Sequence, residues 1–216
     1  MPKKGLPGID SKKRCAWISD SRMAKYHDTE WGVPLFDDRK LFEFLVLDAF
    51  QAGLSWAIIL NKRSGFRKAF HNFNPAKISK YTARDKKRLL SDAGIIRNRA
   101  KIAATIANAR QFLKTQEEFG SFASYIWQFT GHKRIDNKFN KSKQIPPRTR
   151  HSDAMSEDLK SRGFKFVGST ICYAFMQAAG MVNDHLTHCF RYKECNRIPL
   201  KLKKPKHATA PRRKAA

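Results

Sequence analysis

An acidic residue, Asp48, stands in the middle of an apolar stretch, LFEFLVLDAFQAGLSW, residues 41–56. Helical periodicity puts Phe44, Leu45 and Ala52 beside it at i−4, i−3 and i+4, with Gln51 its only polar neighbour on that face. Glu43 falls about 140° away around the helix, toward the flank expected to meet solvent. A carboxylate on an apolar face is costly unless it is paired or meets a ligand, so Asp48 is a candidate binding or catalytic group. The competing reading is a buried acid that caps a neighbouring helix or meets an arginine.

A second set of residues has the chemistry of a metal site. His185 and Cys189 are four apart, one helical turn, so both can face one ion. Cys15 and His27 lie twelve apart near the other end of the chain. Together they make a Cys2His2 set suited to tetrahedral zinc. Four protein ligands leave no open position, so such an ion is structural and ties the N-terminal segment to a C-terminal helix. The alternatives are a hydrogen-bonded His27 with cysteines buried as apolar groups; His188 and Cys195 are further possible ligands.

Aromatic residues gather around the acid. Trp17, Tyr26, Trp31 and Trp56 flank or follow the central helix. Rings around one carboxylate suit a planar, electron-poor base, stacking on its faces while the acid meets its edge. The plainer alternative is ordinary core packing. Further on, residues 84–110 (RDKKRLLSDAGIIRNRAKIAATIANAR) read as a helix stopping at Gly94, an Ile-Ile-Arg-Asn turn, and a second helix beginning near Arg99 or Ala100. The free N–H groups of that second helix, with Arg97, Arg99 and Lys101 beside them, could hold a backbone phosphate.

These groups need a scaffold, and the chain can supply one. Its 216 residues suffice for one sizeable core or two packed lobes, and 16 Phe and 4 Trp favour folding. No run reaches the roughly 18 apolar residues of a membrane span, and no signal-peptide core follows the basic start, so a cytoplasmic protein is expected. Net charge is +26; residues 1–14 contribute +4 and residues 201–216 contribute +7, which leaves +15 on residues 15–200. The folded part is itself basic, so a polyanion is the natural partner and nucleic acid the first candidate. Four cysteines in a chain of this size do not suggest a disulfide framework.

The pattern is all-α. Asp37 or Asp38 can cap the central helix, Gly53 ends it, and Ser55 caps a helix from Trp56 to about residue 62. Further helices are expected near 65–71, 84–92, 100–115, 119–130, 152–161 and 170–180, with 131–150 a connecting loop. Residues 1–14 and 201–216 are expected to be disordered basic extensions around a single domain, 15–200.

Four stretches, YHDTEWGVP (26–34), QAGLSW (51–56), DAGIIRNRAKI (92–102) and GFKFVGSTICYAFMQAAGMVNDH (163–185), make the chain resemble the 3-methyladenine DNA glycosylase I family, in family order. The resemblance implies a helix–hairpin–helix glycosylase fold with two helical lobes around a base pocket. It implies a structural zinc on Cys15, His27, His185 and Cys189. It also implies an enzyme that flips a methylated base out of double-stranded DNA and hydrolyses its glycosidic bond. No lysine in these motifs is placed as a Schiff-base nucleophile, so a monofunctional enzyme is expected, acting as a monomer. By motif, Trp56 would stack on the base, Tyr26 and Asp48 would bind its edge, and Trp17, Trp31 and Gln51 would line the pocket. Leu54 would sit near the gap the base leaves, and the hairpin at Gly94 to Lys101 would grip phosphates. The chain departs from the family pattern at the centre: Asp48 stands where the pattern has Glu, about 1.5 Å shorter in reach. Phe50 replaces a small or polar residue. The shorter acid implies a pocket that closes in, a bridging water or a shifted lesion choice, and Phe50 points to the last of these.

Overall fold

A computed structural model describes residues 10–201; residues 1–9 and 202–216, with most of both basic extensions, lie outside the described residues. The chain is mostly helical. Helix α2, Asp38–Gln51, is its axis: every residue from Leu41 to Phe50 is buried. It packs against α3 (Trp56–Ala69), α6 (Arg99–Phe119), α7 (Phe122–Trp127) and α9 (Ser169–Ala178). A helix apolar on all sides must be surrounded, and these four neighbours meet that demand.

Capping residues set the ends of α2. Asp37 accepts from the Lys40 N–H, while Asp38 turns away to accept from Phe122 N (2.8 Å) and Ala123 N (2.8 Å), holding the start of α7. Gly53 adopts φ +79° in the turn that follows, and Ser55 caps α3. That helix runs unbroken through Gly65, where two helices were expected. A Cβ on Gly65 would lie 2.3 Å from the Gly94 carbonyl oxygen, so this glycine allows α3 to touch the turn after α5 (Ala83–Ser91). The Lys62 ammonium adds a bond to the Ala93 carbonyl (2.7 Å).

Helix α1 (Ser21–Thr29), capped by Asp20, packs on α3, and the short α4 (Pro75–Ile78) packs on α6. Helix α8 (Arg150–Ser161) lies on α9. The expected loop 131–150 contains a two-residue strand, β1 (Ile135–Asp136), paired in parallel with β2 (Val182–Asn183). The chain closes where Phe190 N, at the start of α10 (Phe190–Arg197), donates to the Lys13 carbonyl (2.9 Å). Among the described residues no helix is long and apolar enough to cross a membrane.

Candidate functional site

Between α1, the end of α2, the start of α3 and α9 lies a cavity of about 510 Å³. Six residues expected from the sequence line it: Trp17, Tyr26, Trp31, Asp48, Gln51 and Trp56. Met23, Ile145, Ala174 and Gln177 line it too and were not anticipated. Met23 lies three residues before Tyr26, so helical spacing could have found it. Ile145 comes from a proline-rich loop with no periodic signal. Leu54 lies outside this cavity, in an adjoining groove bordered by Gln51, Ser55 and Ala174.

The walls are ring faces. The Tyr26 and Trp56 centroids are 5.2 Å apart at 50°, and Trp17 meets Trp31 edge-on at 5.2 Å. Two polar atoms are buried among them without a hydrogen-bond partner, Asp48 Oδ2 and Trp56 Nε1. Asp48 is only 3% exposed. Burial pushes its carboxyl well above the ordinary range, and the neighbouring Arg63 charge offsets this only in part. Tyr26 is likewise held as a phenol, by burial and then by the charge of Asp48. Among the described residues Asp48 thus neither caps a helix nor pairs with an arginine, and its carboxyl has no hydrogen-bond partner.

The flanking acid behaves differently from the expectation. Glu43 is buried, not solvent-facing: its Oε1 accepts from Arg63 Nε (2.6 Å) and Arg67 Nε (2.8 Å), both from α3. Arg63 also pairs with Glu30 (2.8 Å) and lies 5.5 Å over the Phe44 ring. Phe50 points away from the cavity. Fully buried, it stacks edge-on with Phe66 at 4.8 Å in the core beneath α3.

Behind Trp17 and Trp31, Cys15, His27, His185 and Cys189 converge, with one ligand atom of each inside a 4.8 Å cluster. Hydrogen bonds fix which ring nitrogens face inward. His27 Nδ1 is engaged by Asp28 Oδ1 (2.7 Å), and His185 Nε2 donates to the Trp31 carbonyl (3.1 Å). The other nitrogens, His27 Nε2 and His185 Nδ1, stand 3.1 Å apart. Cys189 Sγ is 3.4 Å from the first and 3.7 Å from the second, and Cys15 Sγ is 3.8 Å from His185 Nδ1. A tetrahedron with metal–N of 2.0–2.1 Å and metal–S of 2.3 Å has N–N and N–S edges of about 3.4 and 3.6 Å, so the four residues fit such an ion. The Cys15 thiol donates to Cys189 Sγ, and that bond, with those from both histidines, holds the Cys189 thiol well below its ordinary range. His185 and Cys189 sit in a tight turn before α10, not on one helical turn as expected; Cys189 N bonds to the Leu186 carbonyl (2.7 Å). Gly32 is required beside them: at φ +77°, a Cβ there would stand 2.8 Å from His185 Nε2.

The hairpin after α5 exposes Arg97 and Arg99, with Ile95 buried beneath. Asn98 caps α6 by accepting from Lys101 N (3.0 Å), which leaves the N–H groups of Arg99 and Ala100 outside the cap. Gly94 N is taken by the Asp92 side chain (2.7 Å). Lys101 corrects the sequence reading. Its ammonium turns inward to the carbonyls of Phe50 (2.8 Å) and Ala52 (2.6 Å), closing the C-terminus of α2 instead of facing a phosphate.

With this geometry in view, similarity to known proteins is specific. Residues 17–192 match the family model for methyladenine glycosylase. The chain is 48% identical over 181 residues to DNA-3-methyladenine glycosylase 1 of Escherichia coli K12, covering 83% of this chain and 97% of that protein. A crystal structure of 3-methyladenine DNA glycosylase I superposes with TM-score 0.80 at 49% identity, covering 82% of this chain and 98% of that one. The 3-methyladenine DNA glycosylase I of Staphylococcus aureus, described for its recognition of 3-methyladenine, superposes with TM-score 0.80 at 34% identity, covering 83% and 96%.

Proposed function

Because this chain belongs to the methyladenine glycosylase family, we propose that it acts as a DNA-3-methyladenine glycosylase whose Asp48 cavity receives the flipped base. The observation that carries the reading is the unpartnered, buried Asp48 carboxylate among aromatic faces. Methylation at N3 makes adenine cationic, so the base departs as a neutral leaving group and its glycosidic bond is already weakened. The enzyme need not supply a strong acid; it must extract the base, select it and admit water to the sugar carbon.

Each residue follows from that demand. A cationic purine stabilises the ionised form of Asp48, which the apolar cage alone disfavours, whereas neutral adenine does so little. Asp48 is therefore the selecting group. Tyr26, kept as a phenol, serves as a donor to the base edge, and Trp56 stacks on its face. Trp17, Trp31 and Gln51 complete the pocket, and Leu54, at the lip, fills the space the base vacates. α5, its turn and α6 form a helix–hairpin–helix, with Gly94 allowing the close turn and Arg97 and Arg99 contacting phosphates. Among the described residues no lysine lines the cavity to form a Schiff base, which supports a monofunctional enzyme; a protein–DNA adduct trapped by borohydride would overturn this.

Cys15, His27, His185 and Cys189 would hold zinc, whose contribution when bound is structural. Phe50 lies in the core, so the case for shifted lesion choice rests on Asp48 alone. The test is to identify the free bases released from methylated duplex DNA by the unmodified protein and by Asp48→Asn. Release of 3-methyladenine, impaired in the variant, is expected. Retained DNA binding with no base released would make the protein a lesion-binding module.

A further inference from the structure

Among the described residues two large apolar side chains stand exposed, Ile58 (40%) and Phe166 (38%). Ile58 borders the groove that holds Leu54, and Thr170 and Ile171 of α9 form its other wall. Phe166 precedes Thr170 by four residues, in the loop between α8 and α9. Its backbone is left-handed, φ +55°, a conformation that glycine takes freely and a bulky aromatic avoids. The loop is held there from both sides. Lys165 N donates to Asn108 Oδ1 (2.7 Å), and the Lys165 carbonyl accepts from Asn108 Nδ2 (2.9 Å). The Val167 carbonyl accepts from Ser156 Oγ (2.6 Å) and Cys172 Sγ (3.3 Å). A strained, exposed ring is thus fixed in place, and neither its strain nor its exposure stabilises the fold.

The helix that fixes Phe166 is the one that begins at the hairpin. Asn108 lies on α6, seven residues after Lys101. Seven residues turn 700°, so the two side chains share one face of α6, about 10 Å apart along its axis. Lys101 reaches the Ala52 carbonyl, two residues before Leu54 (2.6 Å), while Asn108 reaches Lys165. Arg97 and Arg99 stand at the start of the same helix. The exposed arginines, the turn carrying Leu54 and the loop carrying Phe166 are therefore mounted on α6 together, and Lys165 is exposed beside the ring.

We propose that Phe166 belongs to the DNA interface, as an aromatic wedge packed against base pairs beside the lesion while the damaged base occupies the Asp48 cavity. This rests on the glycosylase reading above. Extruding a base costs pairing and stacking, and a ring that stacks on the exposed neighbours offsets part of that cost. N3 of adenine opens on the minor groove, where apolar side chains inserted between base steps hold a duplex bent and open. The two attachment points on α6 are separated by about three base steps of ~3.4 Å, so Leu54 and Phe166 meet different steps of one duplex.

The test uses the full-length protein and three probes: a duplex holding a tetrahydrofuran abasic analogue, the same strand without its complement, and free 3-methyladenine. Asn accepts the left-handed backbone, so Phe166→Asn should keep its Tm. It should bind the abasic duplex roughly 5- to 50-fold more weakly, with the single strand and the free base unaffected. The slope of log affinity against log salt should not change, since the ring touches no phosphate. Phe166→Tyr, which keeps the ring, should bind as the unmodified protein does, and Phe166→Gly repeats the measurement where the Asn variant fails to fold. Unchanged affinity for the duplex would overturn the proposal. So would equal weakening toward the free base, which would make Phe166 a support of the cavity, or equal weakening toward the single strand. Base release by the unmodified protein with no duplex effect in the variants sinks the wedge alone; no base release and no binding of free 3-methyladenine sinks the glycosylase reading and the wedge with it.

Discussion

Replacing Asp48 by Asn should stabilise the protein while impairing it, and the pH dependence of that gain is the sharper test. Asp48 is 3% exposed, its Oδ2 has no partner, and burial raises its pKa well above the ordinary 3.8. In the unfolded chain the acid ionises near 3.8. Above that pH the folded state keeps a proton that the unfolded state has lost, so this group's contribution to stability falls as pH rises. The fall is about 1.4 kcal/mol per pH unit and ends where the folded group also ionises. Asn carries no such term. The stability difference between variant and unmodified protein should be smallest near pH 4 and then widen in the variant's favour. For a chain of this size the widening is roughly 3–5 °C in Tm per pH unit. Both proteins share every other titrating group, so the difference isolates position 48. Thermal melts at half-unit steps from pH 4 to 8 would measure it, and the pH at which widening stops reads the folded pKa. A constant difference, or a less stable variant, would refute the argument and return Asp48 to the role of a paired structural acid.

Other outcomes follow from the same geometry. Stripping the Cys2His2 metal with a strong chelator should cost several kcal/mol and lower Tm by roughly 10 °C or more; Cys189→Ser should melt as low, with no further response to chelator, and an unmoved Tm would show the cluster holds no stabilising ion. Arg97→Ala and Arg99→Ala should each cut the slope of log affinity against log salt by about 0.9 for DNA binding. Lys101→Met should leave that slope alone and destabilise by about 1.5–3 kcal/mol, since two charged bonds to the end of α2 are lost; chemical denaturation and a salt titration separate the two behaviours. Glu43→Gln leaves Arg63 paired with Glu30 alone and removes one charge from a buried network, so it should cost about 1–3 kcal/mol in denaturant melts; a neutral result would show that the network tolerates a single missing charge.

How much of this was legible in the sequence varied with the range of the interaction. The central helix was visible because ten consecutive residues, Leu41 to Phe50, are buried and the stop and start signals at Gly53 and Ser55 are local. The acid and the aromatics around it could be named by type, since few side chains suit that chemistry. Their neighbours on α9 could not: that helix is apolar nearly all round, so no face marks Ala174 and Gln177 as cavity wall. Glu43 and Lys101 misled for a related reason. Each partner lies on another element, and a long side chain reaches across a register that periodicity within one helix does not reveal. α3 reads in sequence as two helices parted after residue 62, and the role of Gly65 was hidden because the Gly94 backbone that needs its bare Cα is distant in sequence. The strands β1 and β2 are two residues each, too short for alternation to register.

The cluster and the cavity are one construction. Trp17 follows Cys15 by two residues and lies 5.4 Å from the His27 ring; Trp31 follows His27 by four, and its ring is 4.6 Å from that of His185. The Trp31 carbonyl is also what turns His185 Nδ1 toward the other ligands. The side chains that wall the cavity are thus mounted on the residues that converge behind it. A buried, partnerless acid destabilises the protein around it, and the wall must stay in place against that cost until a base arrives. An ion joining residues 15 and 27 to 185 and 189 would supply that stiffness where helix packing does not, since Cys15 precedes α1 and His185 and Cys189 lie in the turn before α10. A tetrahedral ion held by these four residues would suit a site whose chemistry needs rigidity and no metal-bound water.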